Sequence, residues 1–178
     1  MNYRSVFREG LFAGQSVVVT GGGSGIGRCT AHELAALGAK VALVGRKPEK
    51  LDKVCAEIAA ACGGANTAGA AATAHACDIR DEEQVCATVD AILAAHGRID
   101  GLVNNAGGQF PAPLMAISKK GFETVLANNL TGGFLMMREL YLQSMQTHGG
   151  AIVNMTADMW NGMPGMGHSG AARAGSMT

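Results

Sequence analysis

The chain has 178 residues, 14 basic and 14 acidic side chains and therefore no formal net charge; it is 48% hydrophobic and only 16% charged. The length suits one domain over residues 1–178, and the charge balance argues against nucleic acid or an anionic membrane as a partner. A charged fraction below the usual ~25% implies extensive burial, a subunit interface included. No apolar run reaches the ~18 residues of a membrane span, and Met1-Asn2-Tyr3-Arg4-Ser5 lacks the apolar core of a signal peptide.

The elements alternate in type along the chain. Ser16-Val17-Val18-Val19 is a continuous apolar run, as expected of a strand covered on both faces. A glycine-rich turn leads to a helix from about Gly25 to Leu37, which Gly38 ends. Lys40 to Val44 is a second strand. Pro48 suits the first turn of a helix whose apolar face is Leu51, Val54, Cys55, Ile58, Ala59 and Cys62. Residues 63–72 read as a Gly/Ala-rich loop, and Ala74 to Cys77 as a third strand. Asp81 caps the next helix, with Gln84 completing a capping box, Val85, Val89, Ile92 and Leu93 facing inward and Gly97 stopping it. Leu102-Val103 belongs to a fourth strand. Ser118 opens a long helical region to about Gln146, with a bend expected near Thr131-Gly132-Gly133. Ala151 to Met155 is the fifth strand.

This alternation predicts an α/β fold: a doubly wound, Rossmann-like parallel sheet with helices on both faces, in three layers. The five cysteines, Cys29, Cys55, Cys62, Cys77 and Cys86, are odd in number, irregularly spaced and free of any Cys-x-x-Cys. They read as buried free thiols in a reducing cytoplasm, and the histidines show no metal-ligand spacing, so no metal is expected.

The first strand runs into Thr20-Gly21-Gly22-Gly23-Ser24-Gly25-Ile26-Gly27. No register fits Gly-x-Gly-x-x-Gly; Thr-Gly-x-x-x-Gly-x-Gly fits, with Gly21, Gly25 and Gly27 at the fixed places. Glycine lets the backbone approach a pyrophosphate, and the helix N-terminus offers it free N–H groups. Ser24 adds a hydroxyl donor. The second strand ends in Val44-Gly45-Arg46-Lys47, with no carboxylate for a ribose 2′-hydroxyl and with Arg46 able to bind a 2′-phosphate bidentately. The cofactor expected is NADPH (NADP+); the competing reading of Arg46 is a solvated loop cation. Asp78 after the third strand is suited equally to the adenine edge or to capping a turn.

These residues resemble the short-chain dehydrogenase/reductase family. Asn104-Asn105-Ala106-Gly107, Cys77-Asp78-Ile79, Asn129-Leu130-Thr131-Gly132 and Ile152-Val153-Asn154-Met155 match its further motifs, so the resemblance runs from about residue 13 to 175. It implies cofactor contacts from Gly21, Gly23, Ser24, Gly25, Ile26, Gly27, Arg46, Asp78, Asn105, Ala106 and Gly107. The family's Tyr-x-x-x-Lys is absent. His168-Ser169-Gly170-Ala171-Ala172-Arg173-Ala174-Gly175 places Ser169 at the tyrosine position and Arg173 at the lysine position, and Thr156 is the nearest hydroxyl after the fifth strand.

A serine protonates an alkoxide poorly, which disfavours simple ketone reduction. Reducing a double bond conjugated to a thioester instead develops an enolate that hydrogen-bond donors stabilise. The Ser-for-Tyr pattern is similar to the trans-2-enoyl-CoA and 2,4-dienoyl-CoA reductase-like members, as is the opening Tyr3-Arg4-Ser5-Val6-Phe7. The resemblance thus implies hydride transfer from NADPH to a 2-enoyl-CoA, with Arg173 on the nicotinamide ribose, Ser169 on the ribose or thioester, and Asn129 holding a water or a helix bulge. Met155, Met159, Met163 and Met166, with Trp160, line an acyl pocket, simply pack or form an interface. A short-chain reductase acting on a dienoyl-CoA or ketoacyl thioester, and an inactive nucleotide-binding module, are the alternatives. Measured against the family, the chain is expected to lack the last strands, and its full-length form is expected to be a homo-oligomer.

Overall fold

The computed structural model describes residues 6–62, 72–158 and 160–176. Five parallel strands form one sheet in the order β3-β2-β1-β4-β5: β1 is Ser16–Thr20, β2 Lys40–Gly45, β3 Ala72–Ala76, β4 Gly101–Asn104 and β5 Ala151–Asn154. The order reverses direction at β1, with β2 on one side and β4 on the other. That switch opens a crevice beyond the carboxyl ends of the strands, where ligands bind in such sheets.

Alternation along the inner strands feeds two cores. Val17, Val19, Val41 and Leu43 pack under α1 (Gly25–Ala36) and α2 (Pro48–Cys62), with Leu51, Val54 and Ile58 of α2 fully buried. Val18, Ala42, Val44 and Leu102 face α3 (Glu82–His96) and α5 (Gly132–Leu140), against Val89, Ile92, Met136 and Leu140. Both faces of β1 and β2 are therefore dry, which is why those strands read as unbroken apolar runs. Glu57 joins α2 to α1 by accepting from Arg28 at 2.7 Å and bonding His32 at 3.2 Å.

Several expected boundaries move. The third strand is Ala72–Ala76 rather than Ala74–Cys77, because pairing with β2 (Val41↔Ala72 to Gly45↔Ala76) sets it. The loop expected over residues 63–72 lies outside the described residues apart from Ala72, which opens the strand. On α2, Ala59 is exposed and Cys55 and Cys62 are half-buried, so the buried stripe is narrower than its sequence pattern. Among the cysteines only Cys77 is buried; Cys29 is exposed and the other three are intermediate.

Asp81 caps α3 as expected, its carboxylate accepting from the Gln84 N–H at 3.1 Å. The box is half-formed. The Asp81 N–H is already donated to the Asp78 carbonyl, so the Gln84 side-chain carbonyl accepts from the Asp78 N–H at 3.0 Å instead.

The long helical region runs over residues 119–148 and Ser118 caps it, accepting from the Gly121 N–H at 3.1 Å. It contains α4 (Lys119–Leu126), α5 and α6 (Gln146–His148), separated by π-helical turns at Ala127–Thr131 and Tyr141–Met145. Where a bend is expected near 131–133, the irregularity found is the first π turn, which ends at Thr131. Gly132 and Gly133 remain helical and serve close approach: a Cβ on Gly132 would fall 2.7 Å from Ile79 Cγ1, and one on Gly133 3.0 Å from Asn104 Nδ2. A final helix, α7, spans Gly167–Gly175. No helix among the described residues is long and apolar enough to cross a membrane.

Candidate active site

The turn after β1 is tied down by its neighbours. The Thr20 hydroxyl accepts from the Asn105 and Ala106 N–H groups at 3.0 and 2.9 Å, and the Asn105 amide donates to the Thr20 carbonyl at 2.9 Å. Asn105 lies so close that a Cβ on Gly21 or Gly27 would fall 2.8 or 2.6 Å from its Nδ2. Gly21 also has φ +67° and Gly25 φ +54°, conformations that favour glycine. These glycines therefore serve turn geometry and close packing, and Asn105 acts through that turn. Ser24 takes the N-cap position of α1 with its hydroxyl making no cap bond, which leaves both that hydroxyl and the first N–H groups of α1 for an anion.

A cleft of ≈ 240 Å³ lies over this turn. Of the expected cofactor contacts, Gly21, Gly23, Ser24, Arg46, Asp78, Ala106 and Gly107 line it. Gly25, Ile26, Gly27 and Asn105 do not; Ile26 is 61% exposed on the first turn of α1. Sequence reasoning missed Lys47, Lys50 and Asn128 on the cleft wall. Pro48 at the start of α2 and the one-turn spacing of residues 46, 47 and 50 place three cations at one rim, which is the signal that would have found the two lysines. Asp78 lines the cleft and caps a turn, accepting from the Arg80 backbone N–H at 3.2 Å and from Arg80 Nε at 2.8 Å. The Arg80 guanidinium holds the Asp78 carboxyl below its usual range, with a smaller pull from Arg46.

Beyond the cleft, β4 leads into residues 105–110, against which the first π turn and α7 close. The turn points Asn129 inward, where Nδ2 donates to the Gly108 carbonyl at 2.7 Å and to the Val125 carbonyl at 2.9 Å. Asn129 Oδ1 accepts from the Gly108 N–H at 3.0 Å. Of the two roles weighed for Asn129, the helix bulge is present. Arg173 Nη1 donates to the Met155 carbonyl at the end of β5, while its Nε is buried without a hydrogen-bond partner. Burial pulls the Arg173 guanidinium below its ordinary value. Gly107 is wedged between these groups: a Cβ there would fall 2.5 Å from Asn129 Oδ1 and 2.8 Å from Arg173 Nη2.

Ser169 is fully buried and donates its hydroxyl proton to Gln109 Oε1 at 2.5 Å. His168 beside it is also fully buried, edge-on to Phe110 at 4.5 Å. Thr156 is exposed and makes no hydrogen bond that ties it to this group. Met155, Met163 and Met166 are half-buried, Trp160 is 78% exposed, and Met159 lies outside the described residues. Tyr141 sits in the second π turn and Tyr3 outside the described residues, so no described tyrosine reaches Ser169. No group of three or more potential metal ligands occurs among the described residues.

A switch-point cleft above a glycine turn, flanked by unclaimed helix N–H groups and a cationic rim, defines a dinucleotide-binding α/β domain. Residues 15–177 match the short chain dehydrogenase family, and the chain belongs to it. A peroxisomal 2,4-dienoyl-CoA reductase [(3E)-enoyl-CoA-producing] of Danio rerio is 32% identical over 97% of this chain and 56% of its own length. A D-threitol dehydrogenase of Mycolicibacterium smegmatis is 38% identical over 81% of this chain and 53% of its own. The chain thus spans about half the length of these curated relatives. The structure of a citronellol catabolism dehydrogenase of Pseudomonas aeruginosa PAO1 superposes with a TM-score of 0.89 at 64% identity, covering 97% of this chain and 68% of that one. A metagenomic short-chain oxidoreductase in complex with NADP aligns at 0.83 and 36% identity (93% and 73% covered), and an NAD+-bound xylitol dehydrogenase at 0.85 and 34% (93% and 62%). Solved structures similar to this chain thus include one NADP and one NAD+ complex.

Proposed function

We propose that this chain is the cofactor-binding and catalytic region of a reductase that transfers a hydride from NADPH to the C=C bond of a 2-enoyl-CoA thioester. The observation that carries the reading is Ser169, a buried hydroxyl bonded to Gln109, at the place where the family pattern calls for tyrosine. Around it stand an amide and a guanidinium rather than a phenol, donors suited to holding an oxyanion and poorly suited to protonating an alkoxide.

The residues fit the cofactor. Gly23 leaves room where a Cβ would meet Lys50 Cβ at 3.0 Å, and Ser24 with the first turn of α1 would hold the pyrophosphate. Arg46, Lys47 and Lys50 would hold a 2′-phosphate. Arg173 would hold the nicotinamide ribose, and its unpartnered buried Nε supports that role, since a buried donor left unmatched costs about 1–3 kcal/mol. When bound, NADPH supplies the hydride; the chain binds, orients and shields the reacting atoms. A homo-oligomer belongs to the same reading, supported by Phe134, Tyr141 and Leu142, each half-exposed along one helical run.

The test is a fluorescence titration with NADPH and NADH, followed by NADPH consumption with 2-enoyl-CoA, 2,4-dienoyl-CoA, 3-ketoacyl-CoA and citronellal. Tighter NADPH binding and turnover of the 2-enoyl thioester are expected. The 64% identity to the citronellol catabolism dehydrogenase favours one second reading, an oxidoreductase for a branched acyclic terpenoid, and consumption with citronellal alone would select it. Cofactor binding with no turnover on any substrate would overturn the enzymatic reading.

A further inference from the structure

The Asn129 and Ser169 groups expected to act on the substrate are already committed to the protein. Asn129 spends both Nδ2 protons on the Gly108 and Val125 carbonyls and its oxygen on the Gly108 N–H. Arg173 is anchored on the Met155 carbonyl. A serine hydroxyl carries one proton, and that of Ser169 goes to Gln109 Oε1. Ser169 has no exposed surface, whereas Gln109 is exposed, so a ligand entering from solvent meets the amide before the hydroxyl.

The bond also fixes which end of the amide faces out. With Oε1 turned inward to Ser169, the two N–H donors of Nε2 occupy the other corner of the amide plane, and they have no partner among the described residues. The loop carrying Gln109 is itself clamped one residue earlier by Asn129. The result is a hydrogen-bond donor held in place before any substrate arrives, as a site for developing negative charge requires.

We infer that Gln109 is the catalytic donor to the carbonyl oxygen of the acyl thioester and that Ser169 is a positioning residue that orients the Gln109 amide. This rests on the enoyl-thioester reading. In that reaction a hydride from the cofactor forms the new C–H bond at the β-carbon. The C=C π pair shifts towards the carbonyl carbon, and the carbonyl pair rests on the thioester oxygen as an enolate. Gln109 donates a hydrogen bond to that oxygen and gives up no proton. A proton from water then bonds the α-carbon as the carbonyl re-forms.

Gln109→Ala is expected to lower kcat with a 2-enoyl-CoA by about 10²-fold, the usual cost of losing one oxyanion donor, while the NADPH Kd stays within twofold. Gln109→Glu, which replaces the donor by an anion of the same shape, is expected to lose more. Ser169→Ala is expected to cost less than Gln109→Ala, and the double variant no more than Gln109→Ala alone, because the two act as one unit. A second readout is independent of turnover: bound 2,4-hexadienoyl-CoA should show a red-shifted absorbance that Gln109→Ala removes. Full activity and an unchanged spectrum in Gln109→Ala, or multiplicative losses in the double variant, would overturn the inference while leaving the thioester reading standing. A wild-type chain that neither binds nor reduces any thioester would overturn the thioester reading and the inference together.

Discussion

At the N-terminal end of β4, Ser144 of the second π turn donates to the Ile99 carbonyl at 3.1 Å and accepts from the Ile99 N–H at 3.0 Å. At the C-terminal end of the same strand, Asn129 of the first π turn makes the corresponding pair of bonds to Gly108. Each turn widens one helical run by a residue and aims a buried polar side chain at the backbone flanking β4. The surroundings differ. Ser144 closes on a packed floor of Ile99, Leu140 and Met145, whereas Asn129 closes beside a glycine, a half-buried guanidinium and a cleft. One local device therefore serves stability at one end and site geometry at the other, and its neighbours decide which.

Substituting the glycine at each end should give the largest contrast. Gly107→Ala drives a methyl into Asn129 and Arg173 and is expected to cost about 10²-fold in turnover, as a misplacement of ~1 Å does. Gly101→Ala meets Val17 Cγ1 at 3.2 Å and is expected to lower stability modestly with the cofactor Kd unchanged. Equal loss of NADPH binding in the two variants would erase the distinction. Next come the clamps themselves. Ser144→Ala should cost ~1–3 kcal/mol in urea unfolding, since it leaves the buried Ile99 N–H and carbonyl unpaired, and Asn129→Ala should cost less, since Gly108 is exposed. Only Asn129→Ala should also depress turnover; a fall in both would make Asn129 no more than structural.

A smaller effect sharpens the cofactor end. Arg46→Asp should weaken NADPH about tenfold more than NADH, and equal weakening would remove Arg46 from the 2′-phosphate. The smallest effect belongs to the opposite end. There His96 Nδ1 bonds Ser16 Oγ at 2.7 Å and Nε2 bonds Thr73 Oγ1 at 2.9 Å. Burial, then the charges of His75 and Lys40, hold the His96 imidazole below its ordinary value. The folded chain thus binds fewer protons than the unfolded one, so stability is full above pH ~6.5 and falls as acidification passes through that value. Melting curves between pH 8 and 5 should show the decline, and His96→Asn should flatten it.

The sheet and its helices were legible where local signals are strong. Ser16 to Val19 is an unbroken apolar run, Leu51, Val54 and Ile58 keep helical spacing, and Asp81, Gly97 and Ser118 punctuate helix ends. The third strand was misplaced because Ala72-Thr73-Ala74-His75-Ala76 carries little strand propensity and is defined by pairing with β2. The first π turn has only a nearby expected bend as its counterpart and the second has none, since a one-residue widening leaves no mark on composition. In the site, the Thr-Gly-x-x-x-Gly-x-Gly spacing located the cleft, yet Gly25, Gly27 and Asn105 shape it without lining it. Gln109 stayed silent because it lies in a loop, and its partner Ser169 is sixty residues away in the chain.

Every residue lining the cleft falls between Gly21 and Asn128, whereas Ser169 and Arg173 come only with α7. A chain made from its N-terminus at roughly 5–20 residues per second thus completes the cleft's residues seconds before α7 emerges. The cleft wall is thus in place before α7 docks, and the contact of Arg173 with the Met155 carbonyl joins a late segment to a sheet whose crevice is already built.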